Sequence, residues 1–172
     1  MRSNKRFTNQ TFTKRVDHEG GLHRPLARLP EPSVCRDCGA VYMGRRWAPK
    51  EVYNTPQDRE LLRTAEIREC PACKQIRSGI VGGYVTIGGT FIDRHREEIE
   101  NLLTNEAERA GSDNPLSKIM TRRQTPAGLV VETTTEHLAQ RIGHALKKAF
   151  HGEVSYQFSH ENKVVRVSWV RN

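Results

Sequence analysis

The chain of 172 residues is long enough for one ordinary domain or two small ones, and at 35% hydrophobic content it lacks the material for a large single core. It holds no run of about 18 apolar residues to span a bilayer, and its N-terminus carries charges where a signal peptide has an apolar stretch. These features argue against membrane and secreted classes and lead us to expect a cytoplasmic protein, whose thiols stay reduced and free for metal.

The net charge of +8 is unevenly spread: the basic excess is +4 over residues 1–34, +3 over 35–77 and +1 over 78–172. A positive field confined to the first two stretches is what a protein facing a polyanion carries. Residues 1–34 combine Arg2, Lys5, Arg6, Lys14, Arg15, Arg24 and Arg28 with Ser, Thr, Asn, Gln, Gly and Pro. That composition cannot bury enough apolar surface to fold alone, so a disordered basic tail is expected. Phe7 and Phe12 interrupt the cations, and an aromatic face stacks on an unpaired base while its neighbours meet phosphate.

All four cysteines fall into two C-x-x-C pairs, Cys35/Cys38 and Cys70/Cys73, separated by 31 residues. Each spacing lets a tight turn aim two sulfurs at one centre, and two such turns complete the tetrahedron of one Zn²⁺. The pattern predicts a metal knuckle at each end. A closed four-cysteine shell leaves no position for a reacting water, so the ion is structural. Gly39 supplies the freedom the first turn needs, and Val41, Tyr42, Met43 and Trp47 predict a strand or hairpin leaving it. Pro49 and Pro56 break the pattern, and Leu61, Leu62, Ala65 and Ile67 predict a short helix between Gln57 and Glu69 that accounts for the long spacing. Four thiolates around Zn²⁺ carry a formal charge of about −2. Arg36, Arg45, Arg46, Lys74 and Arg77 lie close in sequence to offset it, and the excess is available for phosphate. The RNA-binding candidates here are Arg45, Arg46, Lys74 and Arg77.

From Ser78 to Thr90, Gly79, Gly82, Gly83, Gly88 and Gly89 surround Ile80, Val81, Tyr84, Val85 and Ile87. The stretch reads as a hinge or bulged strand between two domains, or as bare backbone able to approach an RNA phosphate; no Gly-Lys-Ser/Thr follows to make a P-loop. Thr90 and Asp93 then resemble a cap and first-turn acid of a helix that stops at Gly111. Strands are predicted over Ser117–Gln124 and Gly128–Thr134, joined at Thr125-Pro126-Ala127-Gly128. Thr133 to Glu136 fits a capping box, and Leu138, Ile142, Ala145, Leu146 and Ala149 form the stripe of a second helix ending near Gly152. Val154, Tyr156 and Phe158, then Val165, Val167 and Trp169, alternate as two strands around a turn at residues 160–163.

The expected class is therefore α+β: a small treble or zinc-ribbon domain over residues 35–77, then an α/β sandwich over residues 78–172. Its sheet is expected to be mainly antiparallel and split-βαβ-like, with both helices on one face. His137, His144 and His151 lie seven apart, roughly 10 Å along a helix, too far to share a metal. No nucleophile motif is present, so no enzymatic activity is expected.

Cys35-Arg36-Asp37-Cys38-Gly39, Cys70-Pro71-Ala72-Cys73 and the run from Arg122 to Val131, Arg-Arg-Gln-Thr-Pro-Ala-Gly-Leu-Val-Val, together resemble a short member of the nonsense-mediated-decay-protein-three family. That family comprises the eukaryotic large-ribosomal-subunit export adaptor, archaeal relatives and shorter bacterial proteins. The longer relatives have further cysteine pairs, whereas this chain has ligands for one ion and is too short for the extra ribosome-contacting domains and the shuttling tail. The resemblance implies ribosome or rRNA association without export, in subunit assembly, quality control or ribosome hibernation under stress. The alternative is a zinc-ribbon protein–protein adaptor or transcription-associated regulator.

Overall fold

The structure, a computed structural model, describes residues 29–159 and 164–172. Nearest the cysteines, β1 (Ser33–Cys35), β2 (Val41–Met43), β3 (Arg46–Ala48) and β4 (Glu66–Arg68) form one sheet in the order β3-β2-β1-β4. β2 and β3 are the hairpin predicted from Val41 to Trp47. Its turn residues Gly44 and Arg45 have φ of 59° and 62°, the geometry whose twist matches a two-residue hairpin. The Glu31 carboxylate braces that turn, accepting the Gly44 and Arg45 N–H groups at 2.8 and 3.0 Å. Described structure thus reaches back before Cys35. Ser33 and Val34 are strand, and Ser33 is fully buried with its hydroxyl on the Pro30 carbonyl at 2.5 Å.

The middle of the cysteine region differs from the helix expected over Gln57–Glu69. A 3₁₀ turn (Lys50–Val52) precedes α1 (Pro56–Leu62), which starts on a capping box between Thr55 and Asp58 with Pro56 in the first turn. α1 buries no residue and ends at Leu62, where packing gives it nothing to propagate for. The chain then joins β1 in parallel: the Glu66 N–H donates to the Pro32 carbonyl at 3.0 Å and the Arg36 N–H to the Arg68 carbonyl at 2.9 Å. Ile67, whose spacing suited a helix face, is therefore a strand residue, 67% exposed. The second cysteine pair opens α2 (Pro71–Ser78).

The second sheet has the order β6-β7-β5-β9-β8, built from β5 (Gly83–Gly88), β6 (Ile119–Thr125), β7 (Gly128–Thr133), β8 (Glu153–Phe158) and β9 (Val165–Val170). Only the central β5–β9 pair is parallel; the others are antiparallel, as the alternating patterns required. The glycine-rich stretch is this sheet's central strand. Its glycines meet protein: a Cβ on Gly83 would lie 2.6 Å from the Ala139 Cβ, and one on Gly89, at φ 93°, would lie 2.0 Å from the Arg171 carbonyl oxygen.

The single helix expected after Thr90 is two, α3 (Phe91–Arg94) and α4 (Arg96–Asp113), parted at His95, whose ψ of 28° lies outside the helical range. Thr90 caps nothing with its side chain, and α4 runs past Gly111. α5 (Glu136–Phe150) is capped by Thr135, whose hydroxyl accepts the Leu138 N–H at 3.3 Å. Thr133 is not the cap because β7 claims it; its hydroxyl donates to the Thr135 carbonyl at 2.8 Å. Ile99 and Leu103 of α4 and Leu138, Ile142 and Leu146 of α5 bury against Val85, Ile87, Val167 and Trp169 in one core. Both helices so cover one sheet face, and the half-exposed Tyr84, Thr86 and Ser168 lie on the other. The two parts of the chain meet where Gln75 of α2 donates to the Thr134 carbonyl at 3.1 Å and Leu116 packs on the cysteine cluster.

Candidate metal centre

Cys35 ends β1 and Cys38 lies in the turn that follows. Gly39, at φ 74°, closes this turn by donating to the Cys35 carbonyl at 2.8 Å, and the Cys35 N–H returns a bond to the Ala40 carbonyl at 2.8 Å. This is the predicted knuckle. Its counterpart is a helix start: Cys70 is the N-cap of α2, its sulfur accepting the Cys73 N–H at 3.5 Å, and Pro71 takes the first turn. The sequence carried that signal in Pro71 and in Gly79, which ends the helix at φ 67°, but α2 is only eight residues long and buries only Ala72.

The four Sγ atoms lie within 4.8 Å of one another, and those of Cys38 and Cys70 are 3.7 Å apart. A tetrahedral ion with metal–sulfur bonds of about 2.3 Å needs sulfur–sulfur edges of about 3.8 Å, so the four sulfurs stand close to the required spacing, and the widest edge would close by no more than about 1 Å. Cys70 is fully buried and Cys35 is 2% exposed.

The electrostatics of the sulfurs favour a cation. Burial works to raise the Cys35 pKa, but the backbone N–H groups of Cys70, Cys38 and Asp37 outweigh it and bring the thiol down to about 7. Burial pushes the Cys70 thiol up to about 12, and it raises Cys73 further, aided by the neighbouring Cys70 sulfur. Ionising these sulfurs together in so dry a site takes a positive charge at their centre. The N-terminus of α2 adds its own partial positive charge beneath Cys70 and Cys73. The four cysteines thus form a site able to hold one metal ion.

The surrounding arginines divide into two groups. Arg77 bonds Glu69 at 2.7 Å and Asp37 at 3.2 Å, and Arg36 lies 3.7 Å from Asp37 and 4.0 Å from Glu69. Two guanidinium groups and two carboxylates neutralise each other, tying the first cysteine turn to α2. Arg77, one of the RNA-binding candidates, is part of this brace. The exposed side chains of Arg45, Arg46 and Lys74 have no ion pair among the described residues. Arg45 and Arg46 sit at the tip of the β2–β3 hairpin and Lys74 on α2. The remaining RNA-binding candidates, Arg2, Lys5, Arg6, Phe7, Phe12, Lys14, Arg15, Arg24 and Arg28, lie outside the described residues.

His137 and His144 line an open depression of about 440 Å³ beside α4 and α5. Its carboxylate, Glu106, is held by Arg141 at 2.7 Å and Arg109 at 3.3 Å. Among the described residues no helix is long and apolar enough to cross a membrane. No protein-family model, no curated protein and no solved structure matches the chain.

Proposed function

We propose that the chain is a non-enzymatic, zinc-dependent RNA-binding protein whose partner is ribosomal RNA. The observation that carries this reading is the division of cations at the metal centre. Arg36 and Arg77 are consumed by Asp37 and Glu69, whereas Arg45, Arg46 and Lys74 stand exposed and without an ion pair among the described residues. Holding like charges unpaired on a small module costs self-repulsion, and a polyanion is the ligand that relieves it. Zinc is the ion proposed, because a closed shell of four sulfurs suits its tetrahedral, soft-ligand preference. The resemblance of the two cysteine pairs and the Arg122–Val131 run supplies the ribosome as the source of RNA.

The test is co-sedimentation of the zinc-loaded protein with ribosomal particles across a salt series. Binding is expected to weaken steeply with salt, since released counterions drive phosphate association. Protein remaining at the top of the gradient at low salt would overturn the reading. A protein-binding adaptor is favoured by a separate observation: Val52, Leu61 and Ile67, all in the stretch between the cysteine pairs, are 59%, 44% and 67% exposed.

A further inference from the structure

β4 is one of the two edges of the first sheet, β3 being the other; among the described residues no strand pairs with its outer side, and Glu66, Ile67 and Arg68 are all exposed. Glu66 and Arg68 turn their backbone groups toward β1, as their bonds to Pro32 and Arg36 show. Strand alternation then turns the Ile67 N–H and C=O outward, away from the sheet. Ile67 is also, at 67%, the most exposed of the exposed large apolar residues among those described.

We propose that this edge pairs with the same edge of a second copy of the chain, antiparallel about a two-fold axis through Ile67. In that register Ile67 faces its own copy and exchanges both backbone bonds with it, the closely spaced pairing of an antiparallel ladder. Glu66 of each copy stands opposite Arg68 of the other, so the three-residue strand is complementary to itself in charge as well as in shape. Within one chain Arg68 already bonds Glu66, so both side chains project on one face and the association exchanges one partner for its equivalent. β6, one of the two edges of the other sheet, lacks this property. β6 carries Arg122 and Arg123 side by side, and a two-fold register centred there sets arginine against arginine.

The proposal goes beyond RNA binding and is tested without nucleic acid, so the two stand or fall separately. Full-length, zinc-loaded protein is studied by light scattering and sedimentation equilibrium over a concentration series. The mass is expected to rise from the 19.6 kDa of one chain toward twice that value at high concentration. A ladder this short implies a weak, concentration-dependent dimer. Glu66→Arg alone and Arg68→Glu alone each oppose like charges twice across the axis and should weaken association by about tenfold or more. The double variant Glu66→Arg/Arg68→Glu restores opposite charges and should recover it. Ile67→Pro deletes only an outward N–H, tolerable in an edge strand, and should abolish the dimer with β1–β4 pairing kept. A wild-type mass that stays monomeric throughout would overturn the proposal. So would single variants that associate like the wild type, or a double variant that fails to recover.

Discussion

Removing the metal tests how the cysteine module is held together. Among the described residues, the buried side chains around the sulfurs are, besides Cys35 and Cys70, those of Ala40 and Ala72, with Trp47 and Leu116 partly buried against them and Val41 and Ala48 in the sheet beside. Burying Val41 contributes about 2 kcal/mol and each alanine under about 1 kcal/mol, whereas ion binding in small four-ligand modules contributes on the order of 10 kcal/mol. Metal outweighs packing severalfold, so chelation should unfold residues 33–78. The five-stranded sheet has its own core and should persist, losing the Gln75 bond to the Thr134 carbonyl and the cover of Leu116. One such bond is worth about 1 kcal/mol, so the melting temperature of the remaining domain should fall by about 5 °C. Hydrogen exchange read by mass spectrometry, with and without a strong chelator, separates the two parts. Peptides spanning β1 to β3 and α2 should lose protection while those of β5, β7, α5 and β9 keep it. Undiminished protection in β1 to β3 after metal loss, verified by elemental analysis, would refute the reasoning.

Replacing Arg45 and Arg46 by Gln should lower the slope of log affinity against log salt by about 2 for RNA, read by fluorescence anisotropy. Arg77→Gln should leave that slope unchanged, because its charge is spent on Glu69 and Asp37, and should instead ease chelation-induced unfolding. Loading zinc at pH 7 should release at least the two protons that burial keeps on Cys70 and Cys73, and affinity should fall as pH falls. Titration calorimetry in buffers of different ionisation enthalpy reads this, and buffer-independent heat would refute it. Gly143→Ala adds a Cβ 2.6 Å from Val167 Cγ1 and 3.0 Å from the Tyr156 hydroxyl. Overpacking should outweigh the gain in helix propensity, for a net loss of about 1–2 kcal/mol in a denaturant melt.

What was legible in the chain tracks how locally each feature is determined. The cysteine pairs were readable because ligand spacing is a property of a few consecutive residues. β8 and β9 were readable because Val165, Val167 and Trp169 are buried one by one on a single face. β4 was not, because it is three exposed residues made a strand by β1, a partner that enters some thirty residues earlier. α2 was not legible because its eight residues are too few for an apolar stripe to stand out and only Ala72 is buried. The cap of α5 was misplaced by two residues because Thr133 and Thr135 both suit a cap, and pairing of β7 with β5 decides between them.

The second cysteine pair's place on α2 also changes what a bound metal would do. Two independent knuckles would fix only the sulfurs and leave the module free to turn on the rest of the chain. Here Cys70 caps the helix and Cys73 lies in its first turn, Gln75 in the next bonds Thr134, and Arg77 beyond it braces Asp37 of the first cysteine turn. The helix and its cap would therefore link a bound ion, the knuckle and the larger sheet through one short element. The hairpin that leaves the knuckle carries Arg45 and Arg46 at its tip, braced by Glu31. A bound ion would thus fix where these two cations stand relative to the five-stranded sheet, so removing it should scatter the two charges before it reduces their number.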